Sequence, residues 1–97
     1  MQRRQRQVQP TDLKAKAVGV VVRELREQSG QSQERLSNEC GFDRTYISRV
    51  ERGIINPTVS RLWKIADVLK TPLSQLSKRM ERWIVSQEGG ARKPNQG

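Results

Sequence analysis

The residues best placed to do chemistry in this chain lie between Ser32 and Gly53, in the stretch SQERLSNECGFDRTYISRVERG. Arg44, Thr45, Ser48, Arg49 and Arg52 recur there at helical spacing. With Arg44 at 0° and about 100° per residue, the five fall within roughly 140° of one another. Ile47, Val50 and Ile54 gather at roughly 240–300°, on the opposite side. One face therefore requires a core, and the other offers guanidinium and hydroxyl donors to an anionic partner. That is the chemistry of recognition, not of catalysis. The chain has no histidine and one cysteine. No His-based acid–base pair, hydrolase triad or zinc set can be assembled, so the expectation is no catalytic residue, no metal and no cofactor. Cys40 reads as a small buried hydrophobe.

Composition supports an anionic partner. The 97 residues carry 19 Lys plus Arg against 10 Asp plus Glu, a net charge of +9. The excess is uneven: Arg3, Arg4 and Arg6 precede Pro10 with no acid among them, and Arg92 and Lys93 follow Gly90. A basic balance of this kind points to nucleic acid or another anionic surface. No apolar run approaches the ~20 residues of a membrane span, no apolar segment follows the early arginines as in a secretory signal, and a lone cysteine fits a reducing compartment. A cytoplasmic location is the resulting expectation. The length allows one domain. Residues 1–10 read as a disordered basic arm, 11–88 as the folded domain and 89–97 as a disordered tail.

Five helices and no strand position the reactive stretch. Thr11 or Asp12 caps the first, which runs to about Ser29, with Val18, Val21, Val22 and Leu25 at i, i+3, i+4 and i+7 and Leu13 and Ala17 extending the stripe. Gly30 ends it. Ser32 caps a second helix, Gln33 to Cys40, whose Leu36 and Cys40 face inward and whose small Ser37 lets another helix approach. Gly41 supplies a tight turn, Phe42 plugs the corner, and Asp43 is expected to cap the third helix, which ends at Gly53. Thr58 caps the fourth, where Val59, Leu62, Trp63, Ala66 and Leu69 form the apolar stripe and Trp63 is expected in the core. Thr71-Pro72 opens the fifth. Its stripe of Leu73, Leu76, Met80, Trp83 and Ile84 reaches about Gln87, where Gly89-Gly90 is expected to break it.

Two helices joined by a glycine turn, the second with a polar outward face, form a helix-turn-helix over residues 33–53. In that geometry the amides that follow Ser32, with the Gln33 side chain, meet a phosphate. The second helix enters the major groove, where arginine reaches guanine O6 and N7 together.

Residues 18–76 resemble the Cro and phage-repressor type of helix-turn-helix domain, on the segments VRELREQSGQSQERLSNECGF, DRTYISRVERG and NPTVSRLWKIADVLKTPLSQL. The resemblance implies an all-α, five-helix, lambda-repressor-like DNA-binding domain, here with an extended C-terminal helix. It implies base contacts from Arg44, Thr45, Ser48 and Arg49, and backbone contacts from Ser32, Gln33 and Arg52. DRTYIS is similar to the segment in restriction–modification controller proteins, which implies that Tyr46 also lies against DNA. Arg49 stands where several of those controllers carry Gly, so their operator preference does not transfer. Arg26 and Glu51 match positions that form a partly buried ion pair. Met80, Trp83 and Ile84 extend beyond what closes one core. They either pack on the first helix or meet a second copy, and a homodimer on a palindromic operator is the expectation. A sequence-specific regulator of repressor type follows, with double-stranded DNA as partner and no membrane or small-molecule ligand. The rival is an antitoxin or other protein-interaction module.

Overall fold

In the computed structural model, which describes residues 12–91, the chain forms five helices and, among those residues, no strand. They are α1 (Leu13–Gln28), α2 (Gln33–Cys40), α3 (Tyr46–Glu51), α4 (Val59–Val68) and α5 (Leu73–Ala91). The arm expected at 1–10, and residues 92–97 of the tail expected at 89–97, lie outside the described residues.

Local chemistry explains most of the boundaries. Asp12 caps α1, its carboxylate accepting from the Lys14 and Ala15 amides. Ser32 caps α2 by accepting from Arg35 N, and Thr58 caps α4 by accepting from Arg61 N. Gly30, Gly41 and Gly53 all take positive φ, which lets the chain reverse after α1, α2 and α3. Lys70 does the same after α4 at φ 56°, a left-handed position no glycine marks.

The helices meet in one core. α1 packs on α3 and α5, α2 on α3 and α4, and α4 on α5. Leu36, Ile47, Ile65 and Leu76 are fully buried, one from each of α2 to α5, and Val21 and Val22 close the layer from α1. Each such side chain contributes about 1.5–3 kcal/mol of transfer free energy. Cys40 belongs to this core, and burial pushes its thiol up to about 11.

Four expectations are corrected. Trp63 is not core: it is 54% exposed, and Ile65 takes the inward place. The buried side of α4 is centred on Leu62, Ile65, Ala66 and Leu69, which puts Trp63 and Val59 on its flank. Ile54 is 43% exposed, because Gly53 turns the chain before it. Asp43 does not cap α3. The helix begins at Tyr46, Thr45 occupies the cap position without a side-chain cap bond, and Arg44 and Thr45 lie in the preceding turn. Ser37 of α2 substitutes, its hydroxyl accepting from the Ile47 amide at 3.1 Å in a buried site. Finally, Gly89-Gly90 does not break α5, which continues to Ala91. Glycine in a helix costs about 1 kcal/mol in propensity but presents no steric block.

Candidate nucleic-acid interface

The reading stretch is anchored from behind. Glu51, the last residue of α3, has a side chain only 2% exposed, and Arg26 near the end of α1 approaches it with two donors. Arg26 Nε donates to Oε2 at 2.6 Å and Nη2 to Oε1 at 3.0 Å. Arg26 Nη1 donates to the Gln31 carbonyl at 2.8 Å, and Gln33 Nε2 donates to Glu51 Oε1 at 2.8 Å. The hydrogen bond to Glu51 raises the Arg26 pKa further, against the opposing effect of burial. One carboxylate thus ties together the end of α1, the start of α2 and the end of α3. The expected ion pair is present. Gln33 is part of it, so this side chain serves the scaffold before it serves any phosphate.

The outward groups lie in the turn before α3 and on its exposed side. The Arg44 side chain is 71% exposed, with Nε 3.7 Å from Glu34 Oε2. The Thr45 hydroxyl donates to Asp43 Oδ2 at 2.8 Å and accepts from Arg49 Nη2 at 2.9 Å. Arg49 Nη2 is 3.8 Å from the same Asp43 oxygen. The hydrogen bond from Thr45, first, and then the Thr45 amide hold the Asp43 carboxyl below the usual carboxylate range. Arg49, Thr45 and Asp43 therefore form one connected surface group at neutral pH. Ser48 is half-buried, and Arg52 is exposed at the C-terminal end of α3.

Tyr46 is reassigned. It is 7% exposed and belongs to the core, with Ile47 and Val50 on the same inner side of α3. Its ring packs edge-on to Phe42, centroids 4.7 Å apart at 62°. The Arg61 guanidinium caps both rings, 4.8 Å from the Tyr46 centroid and 5.1 Å from that of Phe42. The ring is thus largely enclosed by its own chain. Sequence reasoning missed Arg61 because its partners lie on other elements and leave no periodic signal. It missed the contact chain from Asp43 through Thr45 to Arg49 because an aspartate before a helix is read first as a cap.

Of the residues expected at a two-fold contact, Met80 packs against the monomer core. Trp83 and Ile84 are half-buried on α5, which lies along α1 and is clamped there by Arg79 Nη1 at 3.5 Å from Glu24 Oε1. Among the described residues no three His, Cys, Asp or Glu side chains gather as metal ligands, and no helix is long and apolar enough to cross a membrane.

A five-helix domain that presents an arginine- and hydroxyl-bearing third helix behind a glycine turn defines a helix-turn-helix protein. The helix-turn-helix family profile matches residues 22–76, and the chain belongs to this family, in its XRE-type branch. It is 37% identical over 60 residues to the HTH-type transcriptional regulator SutR of Escherichia coli (strain K12), covering 62% of this chain and 34% of that one. It is 44% identical over 52 residues to the control protein C.BamHI of Bacillus amyloliquefaciens, covering 53% and 64%. The chain thus spans about a third of the length of SutR and under two thirds of C.BamHI. Among solved structures, it resembles the wild-type restriction–modification controller protein C.Esp1396I at a TM-score of 0.69 and 29% identity, over 75% of this chain and 95% of that one. The controller protein C.AhdI from Aeromonas hydrophila aligns at a TM-score of 0.62 and 37% identity, over 64% and 94%.

Proposed function

We propose that this chain is a sequence-specific, double-stranded DNA-binding regulator that acts as a homodimer on a palindromic operator, in the manner of a repressor. One observation supports the reading: Thr45 and Arg49 are joined on the exposed side of the turn and of α3, with Arg44 exposed in the same turn, while Glu51 at the end of α3 is fixed by the buried Arg26–Glu51–Gln33 network. A rigid support behind flexible cationic groups is what readout of base edges requires. Arg44 and Arg49 each address guanine, with Thr45 and Ser48 completing the base-reading set. Ser32, Gln33 and Arg52 fix register on the phosphates. Trp83 and Ile84 of α5 join the two copies, so that the recognition helices stand about one DNA turn, ~34 Å, apart. No cofactor or small-molecule ligand enters this mechanism, and on this reading the protein works in the cytoplasm, where its DNA is.

Selection of bound duplexes from a randomised library tests the reading directly. Arg44→Ala or Arg49→Ala is expected to cost about 1–3 kcal/mol on the selected duplex and to relax its preference. Arg52→Ala is expected to weaken all sequences alike and to reduce the salt slope by about 1. Preference left intact by both Arg44→Ala and Arg49→Ala would remove α3 as the reading element.

The exposed pair Val59 and Trp63 on α4, 65% and 54% accessible, favours a second reading. In it the chain is the DNA-binding half of an operon-encoded pair, such as an antitoxin, and this face holds a different protein. Co-purification of a neighbouring gene product that Trp63→Lys abolishes would establish that reading.

A further inference from the structure

Arg49 does not face its partner alone. Its Nη2 donates to the Thr45 hydroxyl at 2.9 Å, and that hydroxyl donates onward to Asp43 Oδ2 at 2.8 Å. All three side chains are at the surface, with Asp43 67% and Arg49 44% exposed. A carboxylate there is counterproductive for plain DNA affinity, since it repels a polyanion and offsets the arginine's charge. It does not cap α3, since Thr45 holds the cap position and the Ile47 amide is satisfied by Ser37, although the carboxylate also accepts from the Thr45 amide in the preceding turn. What the arrangement does is fix the plane of a guanidinium on a long, flexible stem. Bidentate readout of guanine depends on that plane, and an arginine already oriented loses less rotamer freedom when it binds. Arg44 has a looser version of the same device in Glu34, 3.7 Å away with no bridging hydroxyl.

We propose that Asp43, acting through the Thr45 hydroxyl, is a positioning residue that orients Arg49 for guanine and raises sequence discrimination while lowering overall affinity for DNA. This rests on α3 being the reading helix. Thr45 on this account is a bridge first and a base contact second.

The experiment compares wild type, Asp43→Asn, Arg49→Ala and the double variant by fluorescence anisotropy at fixed salt. The probes are the duplex selected by the wild type, the same duplex with its arginine-dependent guanine replaced, and a mixed-sequence duplex. Asp43→Asn keeps an acceptor in the turn and removes the charge. It is expected to bind the mixed-sequence duplex a few-fold more tightly while discrimination at the guanine falls about tenfold, within the ~5–150-fold that one bidentate pair supplies. In the Arg49→Ala background, Asp43→Asn is expected to change discrimination no further. Equal weakening on all three duplexes, or a loss of discrimination that persists without Arg49, would show a turn-forming role and overturn the proposal. Thr45→Val, which removes the bridge and leaves the carboxylate, is expected to reproduce the loss of discrimination; unaltered discrimination overturns the proposal even if Asp43→Asn folds poorly. A library from which the wild type enriches no sequence would instead bring down the parent reading, and the proposal with it.

Discussion

Arg26 and Glu51 are the residues at which one substitution does most damage. Their side chains are 12% and 2% exposed, so both charges have left water and depend on each other. Forming such a pair brings little net stability, because desolvation offsets the attraction. Breaking it is another matter, since the surviving carboxylate stays buried with Gln33 as its remaining polar partner. Arg26→Ala is therefore expected to cost about 3–5 kcal/mol. At ~4–8 °C per kcal/mol for a domain of this size, the melting temperature should fall by more than ten degrees. Lys64→Ala, on an exposed position of α4, should fall within about 0.5 kcal/mol of wild type. Thermal denaturation followed by circular dichroism decides the matter, and equal melting points for the two variants would remove the anchoring role. The same network explains why Glu51, on the same short helix as Arg49, supports the reading groups without joining them.

Among the elements, α1 and α3 cross closely at Gly19. A Cβ placed on Gly19 would lie 2.6 Å from the carbonyl oxygens of both Val50 and Glu51. Those are backbone atoms of the recognition helix, so relief requires α3 itself to move. Gly19→Ala gains up to about 1 kcal/mol of helix propensity. Overpacking at about 1–3 kcal/mol should outweigh it, and DNA affinity should fall as α3 shifts. Chemical denaturation showing unchanged or raised stability would contradict this.

Gly19 also marks a boundary of what sequence can convey. The stripe Val18, Val21, Val22 and Leu25, the caps Asp12, Ser32 and Thr58, and the left-handed Gly30, Gly41 and Gly53 all express local rules, and all were legible. So was the pairing of Arg26 with Glu51, through family resemblance. Gly19 was not, because its reason is a backbone 31 residues further on. Trp63 and Ile65 both fit an apolar stripe, and only the position of α2 and α5 against α4 decides which side is covered. The start of α3 was misplaced by two residues because Ser37, a residue of another helix, supplies its amide partner. Tyr46 moved from surface to core for the same cause: with α3 beginning there, its side chain shares the inner side with Val50.

At the scale of the whole molecule, the proposed function turns on a second copy of the chain. One recognition helix of six residues reads few base pairs, and two held by a two-fold axis read a palindrome with summed free energies. The residues available for that axis on α5 are the half-buried Trp83 and Ile84 and the 65%-exposed Val85, with the partly buried Met80 packed against the core beside them. The competing apolar face is Val59 and Trp63 on α4. Sedimentation and anisotropy on full-site and half-site duplexes separate them. Wild type is expected to sediment as a dimer at micromolar concentration and to prefer the full site. Trp83→Lys, and the milder Val85→Lys, should sediment as monomers, lose that preference and retain half-site binding, because α3 and its Arg26–Glu51 anchor lie on other elements. Trp63→Lys should leave the dimer intact. If Trp63→Lys dissociates the dimer while Trp83→Lys and Val85→Lys do not, the axis belongs to α4. A wild-type monomer both free and on a full-site duplex would dispose of the dimer altogether and leave a regulator that reads one half-site at a time.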